Sequence, residues 1–218
     1  MTAGYKDKAL EVSTDPEQRF ELALQLQKLD IAYQLAKGKT SWPANLIFIE
    51  SNIESKWRQV GDAALAAWNL VLAEEAFKNA KDLGSLLLLY TSTGSREGLK
   101  HLCMLAKEAC QNNIVFTCQL ALGDVSACID TLVSTGRYPE AVLFSQTYKP
   151  SLTANLVQQW KAELVKNGQE RIARSIASPD GNLDLFPGWT DKLEREHGSQ
   201  NGSLVEGTII IDITHCSK

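Results

Sequence analysis

The chain lacks any apolar run near the roughly 20 residues that a helix needs to cross a bilayer. The four leucines Leu86–Leu89 are far too short to do so, and no transmembrane segment is expected. A basic block is missing too. The 22 Lys and Arg are closely mixed with 26 Asp and Glu, for a net charge of −4. Nothing in that pattern tracks a phosphate backbone, and nucleic acid is not an expected partner. The first residues, MTAGYKDKALEVSTDPEQ, have no apolar centre of the kind a secretory signal carries. Paired cysteines of the C-x-x-C type are also absent, so Cys103, Cys110, Cys118, Cys128 and Cys216 fit neither a zinc site nor a redox motif. The first four lie in apolar helical text and are expected to be small, buried, reduced core residues.

Chemistry-bearing constellations are equally scarce. The histidines are His101, His197 and His215, and none stands at ligand or triad spacing from a cysteine or carboxylate. His101 and Cys103 are two apart on one helix, which turns their side chains about 200° from each other. Gly38-Lys39-Thr40 resembles the end of a phosphate loop, but the glycine needed five positions earlier is Tyr33. A helix also precedes the triplet instead of following it, so an exposed loop is expected. Asn201-Gly202-Ser203 matches a glycosylation acceptor without a secretory context, and the polar cluster 198–203 reads as a flexible linker. No catalytic residue, cofactor or metal site is expected, and the chain does not read as an enzyme.

What is present is helix. Thr14-Asp15-Pro16-Glu17 supplies an N-cap and a first-turn proline ahead of apolar spacing from Phe20 to Ala36, broken near Gln27-Lys28. Ser55–Asn79 continues with spacings of three and four. Shorter lengths follow at Leu83–Tyr90, Arg96–Asn112, Ile114–Leu122, Val125–Ser134, Pro139–Thr147, Leu152–Asn167 and Gln169–Ser175. Turns recur in register. Gln27, Trp68 and Gly136 each precede a small residue by five (Ala32, Ala73, Ala141), and Gly94 and Gly123 occupy the same kind of turn. The successive intervals are 41, 26, 29 and 13 residues, and the long first one contains Gly38–Ser51, which reads as an inserted loop. The unit is then a hairpin of two short helices, about 27 residues long, that buries its faces only by stacking on its neighbours. The expected fold class is all-α, a curved α-solenoid of TPR-like hairpins over residues 1–192, with a flexible tail at 193–218.

Within that frame particular segments carry a family likeness. DPEQRFELALQL (15–26), KWRQVGDAAL (56–65), LLLLYTSTG (86–94), RYPEAVLFSQTYKPS (137–151) and LFPG (185–188) resemble, in order, the C-terminal part of the α-solenoid of the beta-prime coatomer family. That family belongs to the COPI vesicle coat; text of the related alpha subunits is less close. The likeness covers most of residues 5–190. It implies a structural scaffold in retrograde Golgi-to-ER and intra-Golgi transport, lacking the cargo-reading propellers of the full subunit. It also implies assembly with other coatomer subunits, chiefly alpha, and a cytoplasmic location, peripheral on Golgi membrane and coated vesicles after recruitment by a small GTP-binding protein. Gly38–Ser51 and the end, SLVEGTIIIDITHCSK (203–218), depart from the family's text. The alternative reading is a cytosolic TPR-like adaptor that binds a client peptide.

Tryptophans are the natural anchors of an interface, yet on solenoid helices they more often pack between repeats. Trp57 and Trp68 are expected in such packing. Trp189, beside Phe186-Pro187-Gly188 where helical periodicity fades, is the better partner-interface candidate, together with Phe186.

Overall fold

The computed structural model describes residues 3–38 and 46–201. All regular structure among them is helical. In order the helices are α1 (Ala3–Val12), α2 (Pro16–Gln25), α3 (Leu29–Lys37), α4 (Leu46–Ala66), α5 (Leu70–Asn79), α6 (Leu83–Thr93), α7 (Arg96–Glu108), α8 (Asn112–Leu122), α9 (Val125–Ser134), α10 (Tyr138–Tyr148), α11 (Thr153–Lys166), α12 (Glu170–Ser175) and α13 (Trp189–Asn201). Single 3-10 turns lie at Pro150–Leu152 and Leu183–Leu185. The all-α reading stands. Residues 39–45, with Lys39 and Thr40 of the loop-like triplet, and residues 202–218, with His215 and Cys216, lie outside the described residues.

Eight of the connections between successive helices use one repeated device. Gln27, Trp68, Lys81, Gly94, Cys110, Gly123, Gly136 and Gly168 all have left-handed backbones, with φ between 52° and 82°. The residue after each donates its N–H to the carbonyl five residues back, at 2.8–3.0 Å, which is the helix-ending geometry of a Schellman motif. That same residue begins the next helix. Asn69, Asp82, Ser95 and Asp124 each accept, through the side chain, the backbone N–H three residues on, at Leu72, Ser85, Gly98 and Ala127. A single left-handed residue thus separates the end of one helix from the cap of the next. Five of the eight joints are turn positions expected from sequence, and Lys81, Cys110 and Gly168 complete the set.

Each joint fixes which residue enters the interior. The fifth residue after the joint is Ala32, Ala73, Leu86, Leu99, Val115, Cys128, Ala141 or Ala173, and every one is less than 5% exposed. From Trp68 to Gly94, and again from Cys110 to Gly136, the joints step by 13 residues, half the expected unit. Three helical spans therefore need correction. Ser55–Asn79 is divided at Trp68, and Arg96–Asn112 ends at Glu108 because Cys110 turns left-handed. Leu46–Ser51, expected to be loop, forms the start of α4, where extending an existing helix costs far less than nucleating one. Helix α13 likewise covers 198–201, read from sequence as linker, and crosses the boundary expected at residue 192.

Contacts divide the chain into two compact units, Met1–Gly98 and Leu99–Lys218. In the first, successive helices α1 to α6 pack on their neighbours and α2 also meets α4. Phe20, Ala23, Ala32, Ala36, Trp57, Val60, Ala76 and Ala80 are buried together. Trp57, as expected, is core; its ring meets Tyr33 edge-on at 5.4 Å. Lys56 is buried beside it, and its ammonium reaches Glu17 on α2 at 2.7 Å and lies 5.7 Å from the Phe20 ring centre. Gly61 on α4 lets α5 come close, since a Cβ there would overlap the Phe77 ring. In the second unit, α8 to α12 pack in chain order and α13 meets the Pro150–Leu152 turn. Its core gathers Ile129, Val142, Leu156 and Val157.

The cysteines divide more finely than expected. Cys103, Cys118 and Cys128 are buried, whereas Cys110 is exposed at its joint. Burial pushes the Cys118 and Cys128 thiols up to about 11, so at neutral pH they stay protonated and inert.

Two outcomes follow. Gly61→Ala should lower stability by about 1–3 kcal/mol despite alanine's better helix propensity, because Phe77 has nowhere to retreat; urea unfolding measures it. Labelling the native chain with a maleimide at pH 7.5, followed by peptide mapping, should modify Cys110 within minutes. Cys103, Cys118 and Cys128 should react only after denaturation.

Candidate interaction surface

Among the described residues, the α4–α5 joint exposes the largest apolar side chain. Trp68 is 85% exposed and Val71, at the start of α5, is 80% exposed, with Leu65 and Leu70 partly exposed beside them. This corrects the expectation that Trp68 packs between repeats. The left-handed backbone at φ 58° takes its side chain off the inner faces of both helices, which are filled instead by Ala64, Ala73 and Phe77. A bulky residue with positive φ is an outlier. For an L-residue the left-handed conformation costs about 1–2 kcal/mol, and three other joints use glycine between residues 94 and 136.

Hydrogen bonds tie down the residues next to this knob. Asn69 caps α5 through its side chain, accepting from Leu72 N–H at 3.2 Å. Asn69 and residues Gln27–Ile31 border an open depression of about 550 Å³, so the α2–α3 and α4–α5 joints lie side by side. Further along α5, the Tyr33 hydroxyl donates to Glu75, and the Tyr90 hydroxyl and Lys78 ammonium both donate to Glu74, at 2.8 and 2.6 Å. Burial and the Glu74 hydrogen bond hold the Tyr90 hydroxyl above its usual range. Asp82 ties α6 to α4, since it caps Ser85 and receives Arg58 at 2.7 Å. Burial pushes its carboxyl up, but the Ser85 N–H and Arg58 outweigh that and hold it below the usual carboxylate range.

The aromatic pair singled out by sequence lies in the second unit. Trp189 is 7% exposed and meets the half-buried Phe186 edge-on, with ring centres 5.7 Å apart. The structure brings the two together and spends the tryptophan ring inside the chain. What faces outward there is Leu183 (57%) and Leu185 (61%). Trp160 is half-buried at the core's edge. His101 and His197 are both exposed. Among the described residues no cluster of His, Cys, Asp or Glu could hold a metal ion, and no helix is long and apolar enough to cross a membrane.

The Trp68 knob was missed although its position was not: the residue stands in register with turn glycines, and a tryptophan at such a place has to project outward. Small buried residues behind left-handed joints, stacked helix after helix, are a repeat architecture that known proteins share. Residues 1–161 match the COPA/B TPR domain. Over 182 residues the chain is 48% identical to the probable coatomer subunit beta' of Schizosaccharomyces pombe, covering 84% of this chain and 21% of that protein. It is 40% identical to coatomer subunit beta'-2 of Arabidopsis thaliana over 193 residues (88% and 19%). Against coatomer subunit beta' of Homo sapiens it is 41% identical over 185 residues (85% and 19%). The chain thus spans about a fifth of the length of these curated relatives. With the domain matched across most of its helices and these relatives alongside, the chain belongs to the COPA/B TPR domain family.

Proposed function

We propose that this chain is a scaffold module of the COPI vesicle coat, acting in retrograde Golgi-to-ER and intra-Golgi transport through the faces it presents to other subunits. The observation that carries the reading is the Trp68–Val71 knob. A coat element assembles through broad surfaces anchored by a few apolar residues, and here the anchor stands on a capped joint that the core does not need. The similarity to coatomer beta' subunits supports the same reading. The alpha subunit of coatomer is the proposed chief partner. The module would reach the cytoplasmic face of Golgi membranes as part of the coat, recruited through a small GTP-binding protein.

The contact expected at Phe186 and Trp189 stays within this proposal in altered form. Trp189 buttresses the segment from inside, while Leu183 and Leu185 offer the outward surface. The proposed scaffold unit comprises the hairpins together with α13, through residue 201. A client-binding adaptor has less behind it, because the similar proteins are coat subunits by name.

Co-purification tests the reading. The tagged chain, expressed with the coatomer alpha subunit, should recover that subunit in stoichiometric amount. Replacing Trp68 by Asp together with Val71 by Ser should weaken recovery about 30-fold, the scale of losing one hot spot, with helical circular dichroism unchanged. Failure to recover any coatomer subunit would remove the proposal.

A further inference from the structure

The second unit holds a depression unlike the apolar knob. It is open, about 800 Å³ in volume, and bordered by the α8–α9 joint, the end of α10 and residues Lys192, Arg195 and Glu196 of α13. That size falls in the range of about 300–1,000 Å³ in which proteins hold discrete ligands. Its cationic wall consists of Lys149, Lys192 and Arg195. Its acidic members are already engaged: Glu196 receives both the backbone N–H and the hydroxyl of Ser151, at 2.8 and 2.6 Å, and Asp124 caps α9 through Ala127 N–H at 2.9 Å. Lys149 is positioned by its hydrogen bond to Ser126, at 2.7 Å. Tyr148, 47% exposed and tilted against Phe144 at 4.6 Å, adds an apolar ring to the same border.

We propose that this depression binds a short acidic peptide segment carrying one apolar side chain. Lys192 and Arg195 take its carboxylates, Lys149 holds a third acidic group or a backbone carbonyl, and the Tyr148 ring receives the apolar residue. The chemistry is local, since the whole chain carries a charge of −4 and exerts no general pull on anions. Two engaged carboxylates in the wall also favour a discrete segment over a continuous anionic surface. A peptide can seat its charges between them, whereas a lipid headgroup layer presents negative charge to every part of the wall at once. The Glu196–Ser151 clasp keeps α13 at its distance from the Pro150–Leu152 turn, and so sets the width of the site. This site is independent of the coat-scaffold reading, because it involves neither Trp68 nor Val71.

The test uses the full chain and a fluorescein-labelled peptide, Glu-Asp-Glu-Leu-Asp-Glu, followed by fluorescence anisotropy. Binding should weaken as salt rises and vanish for the peptide in which Gln and Asn replace Glu and Asp. Lys192→Glu with Arg195→Glu should weaken it at least about tenfold, the scale of losing one or two charge-assisted hydrogen bonds. Lys107→Glu with Arg171→Glu, the same charge change on exposed residues elsewhere in the unit, should leave it within about twofold. Tyr148→Ser, which keeps every charge, should weaken it severalfold and serves if the charge-reversed variant fails to fold. No binding of the acidic peptide, an equal loss in the control pair, or binding to phosphatidylserine vesicles without binding to the peptide would each overturn the proposal.

Discussion

The hydrogen bond from the residue after each left-handed position to the carbonyl five residues back is the constraint on which the rest depends. It closes one helix and, within the same residue, opens the next, so no linker length is left to vary between them. Because the bond fixes the phase of the following helix, the residue five positions beyond the joint always arrives inside. At Ala32, Ala73 and Ala141 that residue is alanine, and helices come close. At Leu86 and Leu99 it is a leucine, fully engaged in the interior. A repeat protein whose described residues hold neither sheet nor disulfide needs such a device, since each hairpin has too little core of its own to set its direction.

The joints also separate folding from recognition. The fifth residue beyond each joint is small or apolar and buried; what stands at the joint itself faces water. Glycine is the undemanding choice there, and the chain uses it at 94, 123, 136 and 168. Where another residue occupies the joint, the strain has to be offset by something. Asp82 does so after Lys81, by joining a helix cap to an ion pair with Arg58. At Trp68 the cap from Asn69 is comparable, and the projecting indole stays outside the interior. The cationic depression follows the same logic, being framed by the Gly123 joint and stiffened by the Asp124 cap.

The sequence made the all-α architecture and five of the eight joints legible, because glycines and small helix residues recur in register. Lys81 and Cys110 escaped because neither residue type announces positive φ; their signals are the 13-residue step and, after Lys81, the capping aspartate. The same blindness merged α7 with the turn beyond it and placed Cys110 in the core. Residue-type habits misled at the tryptophans. Burial is the usual fate of tryptophan, yet it is backbone conformation that turns Trp68 outward and chain geometry that folds Trp189 against Phe186. Clusters assembled from distant segments, such as Lys149 with Lys192 and Arg195, have no linear signature at all.

The central claim is that a joint residue serves the surface and its neighbours serve the fold. Equilibrium unfolding in urea of Trp68→Gly beside Trp57→Gly tests it most directly. The account predicts that Trp68→Gly is as stable as the parent or more so, strain relief of about 1 kcal/mol offsetting the entropy of glycine. Trp57→Gly should lose about 3–5 kcal/mol or more as its cavity opens. A loss at Trp68 comparable to that at Trp57 would contradict the account.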